Sequence, residues 1–135
     1  MPSELSNAIT SEQWDTVIGL AQSKPHAAKT WTVRQGLFEG IKDSNVLPIH
    51  EALVGCAPYR VIEALLYAYP DSVYCKESSY QRLPLHCACR KNAQIIVVEL
   101  LLKHYADSAL APDSLGRLPC KLFFMFAFIL LICRF

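Results

Sequence analysis

The residues best suited to chemistry lie close together at His86, Cys87 and Cys89. Zinc takes four nitrogen or sulfur ligands in tetrahedral geometry, commonly from two separated pairs. Cys87 and Cys89 are two positions apart on a predicted helix, so their side chains point to different faces. No second Cys or His pair has a suitable spacing. We therefore predict no metal site.

A nucleophilic cysteine is the second chemical possibility. Such a thiolate needs a neighbouring base and a group that orients that base. His86 could approach Cys89, but Cys89 falls on the apolar face of the helix, where a thiol is usually inert. The five glycines are scattered and match no nucleotide-binding loop. The expectation is a protein that is not an enzyme and needs no cofactor.

Composition and charge narrow the classes of partner. The 135 residues are 53% apolar, which is enough for a packed core, and the formal net charge is only +1. A nucleic-acid surface would need clustered Lys and Arg, so no nucleic-acid partner is expected. The first ten residues lack the basic and apolar regions of a secretory signal. This predicts an intracellular, cytoplasmic protein with six reduced cysteines.

An internal repeat organises the elements that carry these residues. The motif Leu-Pro-Ile-His at 47–50 recurs as Leu-Pro-Leu-His at 83–86, and partly as Leu-Pro-Cys-Lys at 118–121. The first two copies are 36 residues apart, and identities continue at that offset as far as Ser72 and Ser108. A period of this size is typical of architectures in which each unit buries its apolar face against its neighbours.

Each unit is predicted to contain two helices joined by a turn. Pro48 and Pro84 suit the first position of a helix, where the missing N–H costs nothing. Gly55 is expected to end the first helix in a left-handed conformation. Residues 95–98 are Ile-Ile-Val-Val, which favours a strand by propensity, but the repeat favours a helix there. The predicted fold class is all-α.

These motifs resemble the ankyrin repeat family, whose units open with Thr-Pro-Leu-His-x-Ala in a period of about 33 residues. Residues 83–88 fit five of those six positions and residues 47–52 fit four. The resemblance implies an ankyrin-like solenoid of stacked helix-turn-helix repeats with long connecting loops. It also implies that His50 and His86 are structural and bond to backbone in the neighbouring loop. Leu stands in place of Thr in each motif, so the usual hydroxyl cap is absent.

The chain is predicted to have four parts. The last part is strongly apolar, and the run from Leu122 to Cys133 contains twelve apolar residues, fewer than the about 20 of a membrane-spanning helix. The parts are residues 1–46 as divergent N-terminal capping helices, 47–82 and 83–117 as ankyrin-like repeats, and 118–135 as a hydrophobic tail or broken third repeat.

Binding is the function that remains once catalysis is set aside. Stacked repeats form a concave surface from their first helices and projecting loops, which predicts a module that binds another protein and no small-molecule substrate. Tyr80 is the preferred anchor, because Tyr is favoured at interface hot spots. The predicted protein-binding residues are Glu51, Val54, Lys76, Tyr80, Cys87 and Arg90, and the predicted structural residues are Pro48, His50, Pro84 and His86.

Two alternatives stay open. The first is a membrane-tethered ankyrin protein, in which Leu122 to Cys133 insert into a bilayer between Lys121 and Arg134. The second is a truncated fragment of a longer repeat array, because two good repeats fall short of the three or more that stacking usually needs. The sequence does not identify the partner.

Overall fold

The computed structural model describes residues 3–38 and 40–119. These residues form six α-helices and one two-stranded sheet. The helices come in three pairs, and a short 3₁₀ helix follows the second helix of each pair. The α-helices are α1 (Glu4–Thr10), α2 (Trp14–Ser23), α3 (Pro48–Val54), α4 (Tyr59–Ala68), α5 (Pro84–Arg90) and α6 (Ile95–His104), and the 3₁₀ helices span Pro25–Lys29, Pro70–Tyr74 and Ala106–Leu110.

The last two helix pairs recur at the spacing of the sequence repeat. α3 begins at Pro48 and α5 begins at Pro84, 36 residues later. Both prolines occupy the first helical position, where the absent N–H leaves no intrahelical bond unmade. The helix predicted over the Ile-Ile-Val-Val segment is confirmed, because that segment opens α6. The repeated pattern of apolar residues thus outweighs local strand propensity.

One type of turn joins the two helices of every pair. In the second pair, the N–H of Cys56 donates to the carbonyl of Leu53 at 3.2 Å, and the N–H of Ala57 donates to the carbonyl of Ala52 at 3.0 Å. Such a turn needs one left-handed residue just beyond the helix. The prediction that this residue is Gly55 is wrong, because Gly55 has φ −80° and is the C-cap of α3. The left-handed residues of the three turns are Glu12, Cys56 and Asn92.

A β-hairpin lies between the first and second helix pairs, so the all-α prediction is corrected. β1 (Thr32–Gln35) pairs antiparallel with β2 (Asp43–Val46) over all four residues. Gly36 and Gly40 hold positive φ angles of 69° and 78° in the connecting loop, which lets the chain reverse direction. The extra length of the hairpin explains why α1 and α3 start 44 residues apart, whereas α3 and α5 start 36 apart.

The helices pack in two rows. The first helices touch in the order α1, α3, α5, and the second helices touch in the order α2, α4, α6. A buried alanine recurs in the first row as Ala8, Ala52 and Ala88. A small side chain at this place lets neighbouring helices approach closely and pack without voids. The resulting core is one continuous cluster that runs from Leu5 to Ala109.

Candidate interaction surface

The two motif histidines hydrogen-bond to backbone. The Nδ1 atom of His50 accepts the N–H of Leu47 at 3.0 Å, and its Nε2–H donates to the carbonyl of Cys75 at 3.0 Å. Burial lowers the pKa of His50 to about 4, so the ring is neutral. The Nδ1 atom of His86 likewise accepts the N–H of Leu83 at 3.0 Å. Each ring therefore satisfies a backbone donor at a helix start that carries no hydroxyl cap.

A buried carboxylate, that of Glu77, organises the loop before α5. One of its oxygens accepts the N–H groups of Tyr80 and Arg82 at 2.8 and 3.1 Å. The other accepts the hydroxyl of Ser44 on β2 and the N–H of Ser79, both at 2.6 Å. Burial alone would raise the pKa of Glu77, but these hydrogen bonds outweigh it and lower the pKa. The ionised carboxylate thus fixes the loop against the hairpin.

The next loop is built in the same way around Asp113, 36 residues after Glu77. One oxygen of Asp113 accepts the N–H groups of Leu115 and Arg117, both at 2.9 Å. The other lies 3.4 Å from the Nε atom of Arg82, which is also buried. Burial opposes ionisation, but the hydrogen bonds lower the pKa of Asp113. Each loop acid therefore accepts backbone donors from its own turn and a side-chain donor from the preceding unit.

The prediction that Glu51 is an exposed binding residue is wrong, because its side chain is buried. Its carboxylate accepts the hydroxyl of Ser6 on α1 at 2.8 Å and the Nη1 donor of Arg34 on β1 at 2.6 Å. Burial raises the pKa of Glu51, and these two contacts oppose the rise. Glu51 therefore joins α1, α3 and the hairpin, and it is not placed to meet a partner.

A pocket of about 210 Å³ opens between the hairpin loop and the C-terminal ends of α3 and α5. Two of its walls are apolar, from the loop and from the last turn of α3. A third wall carries two cations at the end of α5. We call this pocket the interaction groove, and its lining residues are Leu37, Phe38, Val54, Cys87, Arg90 and Lys91.

Three of the six predicted binding residues line the interaction groove. Val54 is half-buried and Arg90 is exposed. Cys87 was predicted to be exposed and is not, because only 1% of its surface is accessible. Burial raises the pKa of its thiol to about 12, so Cys87 is an uncharged wall of the groove and not a nucleophile. Lys76 is exposed but lies outside the groove lining.

Tyr80 is packed against the hairpin and does not project as a free anchor. Its ring lies 6.4 Å from the ring of Phe38, edge to face. The guanidinium of Arg82 lies 4.4 Å from the centroid of the Tyr80 ring, and the ammonium of Lys42 lies 5.1 Å from it. Aromatic and cation–π contacts of this kind hold a ring in one position. Tyr80 therefore supports Phe38 at the edge of the groove.

Leu37, Phe38 and Lys91 were not predicted as groove residues. The two loop residues follow Gly36 and precede Gly40, and such a glycine pair is typical of a hairpin loop that projects from the fold. Lys91 follows Arg90 directly, so the paired cations were visible in the sequence. Among the residues that the structure describes, no group of His, Cys, Asp and Glu could hold a metal ion.

Comparison with known proteins bears on the second of the sequence repeats. Residues 80–114 match the family model described as Ankyrin repeat, which confirms the resemblance to that family. No curated protein and no solved structure matches the chain. Over the described residues, every helix is too short or too polar to cross a bilayer. The segment from Leu122 to Cys133, which the membrane-tethered alternative would insert into a bilayer, lies outside the described residues.

Proposed function

We propose that this chain is a non-enzymatic module that binds another protein through the interaction groove, a proposal supported by the match of residues 80–114 to the ankyrin repeat model. The observation that carries the proposal is the groove itself, in which the hairpin loop and the ends of two first helices meet. Projecting loops and first helices are the parts of a stacked-repeat protein that form its concave binding surface. The proposal includes an intracellular, cytoplasmic location, where cysteines stay reduced.

The size of the groove favours a protein partner over a small molecule. Pockets for drug-sized ligands typically enclose roughly 300–1,000 Å³. The groove, at about 210 Å³, has room for a single large side chain and part of its neighbour. We therefore infer that a partner inserts one apolar side chain between Phe38 and Val54.

The charges at the groove favour an acidic partner segment. Arg90 and Lys91 are both exposed, and the six lining residues include no acid. Complementary charge accelerates association and disfavours partners of the same sign. The proposed ligand is therefore an apolar side chain with an Asp or Glu close to it in the partner.

The contacts between units support a solenoid of three stacked repeats as the proposed architecture. Between the described helices of each row, the main contacts join successive pairs, α1 with α3 and α3 with α5 in one row, and α2 with α4 and α4 with α6 in the other. The hydrogen bonds of the loop acids also pass from one unit to the next, as in the Ser44–Glu77 bond of 2.6 Å. Within this proposal, residues 3–31 form a helix pair and 3₁₀ helix equivalent to those of the two sequence repeats.

Selection of random peptides by phage display on the full chain tests the proposed function. A selected peptide is then labelled, and its affinity is measured by fluorescence anisotropy. Phe38→Ala and Lys91→Glu are each expected to weaken binding by about tenfold or more, because each removes a central groove contact. Tyr67→Ala is the control, since Tyr67 is exposed on α4 away from the groove lining.

The control is expected to bind within about twofold of the unmodified chain. Circular dichroism of each variant checks that its helix content is unchanged. Equal binding by the unmodified chain and both groove variants would contradict the proposal. So would selected peptides that lose affinity for Tyr67→Ala and keep it for the groove variants.

A further inference from the structure

The β-hairpin has two outer edges, and its register shows which backbone groups point outward. The N–H of Gly36 donates to the carbonyl of Lys42 at 3.3 Å, so these two residues form a hydrogen-bonded pair. Hydrogen-bonded and non-hydrogen-bonded pairs alternate along an antiparallel ladder. Val33, Gln35 and Asn45 therefore belong to non-hydrogen-bonded pairs, and their backbone N–H and C=O groups point away from the hairpin.

The outer edge of β2 is covered by the loop before α5. The N–H of Asn45 donates to the hydroxyl of Ser78 at 2.7 Å, and the N–H of Ser78 donates to the carbonyl of Asn45 at 3.3 Å. Both bonds use the outward groups that the register identifies. This edge of the hairpin is thus satisfied by another segment of polypeptide.

The outer edge of β1 has no such cover in the part of the chain that the structure describes. The backbone groups of Val33 and Gln35 make no hydrogen bond with residues 3–38 or 40–119. Both side chains are exposed, and 64% of the Val33 surface is accessible. Sheet edges are commonly blunted by lysine, proline or a bulge, and β1 has none of these. We call the outward N–H and C=O groups of Val33 and Gln35 the β1 edge.

The single charge of β1 does not close this edge. Arg34 lies between Val33 and Gln35 in the strand, so its side chain is on the opposite face of the sheet. Its Nη1 atom donates to the carboxylate of Glu51 at 2.6 Å and to the hydroxyl of Thr10 at 3.1 Å. The face of β1 that carries Val33 and Gln35 is therefore uncharged.

We propose that the β1 edge binds an extended segment of a partner protein as a third strand of the sheet. Two N–H donors and two carbonyl acceptors at alternate residues match the groups that another extended backbone presents. Exposed Val33 favours a β-branched or aromatic residue beside it in the added strand, and the uncharged face of β1 favours an uncharged segment. The groove lining contains neither Val33 nor Gln35, so this site is separate from the interaction groove and takes a partner of different chemistry.

A second copy of the chain fits the β1 edge less well. A symmetric antiparallel pair that used all four groups of each β1 edge would be centred on Arg34. The two Arg34 residues would then lie directly opposite each other, which is destabilising for like charges. A pair centred on Val33 would place Gln35 opposite a residue outside β1. A separate extended segment is free of both constraints.

Phage display of random seven-residue peptides on the full chain tests this proposal. Peptides that also bind the Val33→Pro variant are removed, because proline deletes the outward N–H of residue 33 and leaves the bonds between β1 and β2 in place. The affinity of a surviving peptide is then measured by fluorescence anisotropy. Val33→Thr is the matched control, since it keeps the backbone N–H and a β-branched side chain. Phe38→Ala alters the interaction groove and not β1, so it separates the two sites.

Binding of a surviving peptide is expected to fall by about tenfold or more in Val33→Pro and to stay within about threefold in Val33→Thr and Phe38→Ala. Circular dichroism checks that each variant keeps its helix content. A second measurement uses only the unmodified chain, and the peptide carries a single N-methyl group at successive backbone positions. N-methylation is expected to abolish binding at alternate positions, because every second N–H of an added strand faces the sheet edge. This scan decides the outcome if Val33→Pro does not fold.

Three results would overturn the proposal. The first is that no peptide survives the selection, or that the N-methyl scan shows no alternation. The second is a peptide whose affinity depends on Phe38 and not on the N–H of residue 33, which would place binding in the groove and leave the proposed function intact. The third is a concentration-dependent dimer in sedimentation velocity that Val33→Pro abolishes, which would identify a second copy as the occupant.

Discussion

His50 makes the stability of the protein dependent on pH below neutrality. Its pKa is 6.5 in an unfolded chain and about 4 in the fold, because the buried ring resists protonation. Between these values the unfolded state binds the extra proton, so acid favours unfolding. Where the unfolded state binds one proton more than the folded state, the free energy of unfolding falls by about 1.4 kcal/mol for each pH unit of acidification. From pH 6.5 to 5 we expect His50 to cost roughly 1.5 kcal/mol of the free energy of unfolding.

Urea unfolding of the unmodified chain and of His50→Gln at four pH values between 6.5 and 5 measures this contribution. The variant is expected to be less stable at pH 6.5, because it loses a buried hydrogen bond, and to show a shallower decline with acid. His26→Gln serves as the control, since His26 is exposed on the first 3₁₀ helix. Parallel declines for the unmodified chain and His50→Gln would show that His50 is not the source of the acid sensitivity.

At the residue scale, the spacing of Pro48 and Pro84 predicted helix starts that the structure shows at those residues. The burial of Glu51, Glu77 and Arg82 could not be predicted in the same way. A charged side chain in a single sequence is expected to be exposed, because burying it without partners is costly. Each of these residues has a side-chain partner outside its own unit, and those partners lie 17 to 45 residues away in the sequence. No local pattern records such a contact.

Among the elements, the loop before α5 depends most on one side chain. In Glu77→Gln, an amide NH₂ group replaces one of the two carboxylate oxygens that accept hydrogen bonds in the unmodified chain. The NH₂ group cannot accept, so at least one donor is left unsatisfied. We expect a loss of about 2–3 kcal/mol in the free energy of unfolding at pH 7. The pKa of Glu77 is lower in the fold than its ordinary value of 4.5, so its contribution is present above pH 4.5 and disappears as the pH falls through the folded-state value.

The stability gap between the unmodified chain and Glu77→Gln is therefore expected to narrow as the pH falls below 4.5. Chemical denaturation at pH 7 and at two pH values below 4.5 checks this trend. Lys76→Gln is a neighbouring control, and because Lys76 is exposed it should change stability by less than about 0.5 kcal/mol. A gap that stays constant with pH would show that the ionised carboxylate is not what stabilises the loop.

The hairpin was the one kind of element that the repeat could not predict. Helix positions 36 residues apart reinforce one another, so they were visible even where propensity favoured a strand. β1 and β2 occur once in the described residues and are four residues long, too short to show an alternating pattern clearly. One wall of the interaction groove, formed by Leu37 and Phe38, comes from the hairpin loop, which is why these two of the three unpredicted lining residues were missed.

Across the whole molecule, stability depends most on the middle unit, because α3 touches both α1 and α5. Ala52 is completely buried on α3, and Ala8 is its equivalent on α1, for which the described residues supply one neighbour in the row, α3. Enlarging a buried alanine forces packed helices apart and costs roughly 1–3 kcal/mol. We expect Ala52→Leu to fall at the upper end of this range and Ala8→Leu at the lower end.

Thermal unfolding followed by circular dichroism shows which of the two leucine variants is less stable. Ala52→Ser is a matched control, since it keeps the small volume and tests the position without overpacking. A larger effect for Ala8→Leu than for Ala52→Leu would contradict the argument that the middle unit carries two interfaces. It would also weaken the proposed three-unit stack.

The side chains that donate hydrogen bonds from one unit to an acid of the next differ in length. This difference fixes the order of the units. A short Ser44 reaches the longer acid, Glu77, whereas a long Arg82 reaches the shorter acid, Asp113. Exchanging the two loops would leave a gap at one junction and a collision of side chains at the other. Duplicating or shuffling these units, during evolution or by design, would therefore require the donor and the acid at each junction to change together.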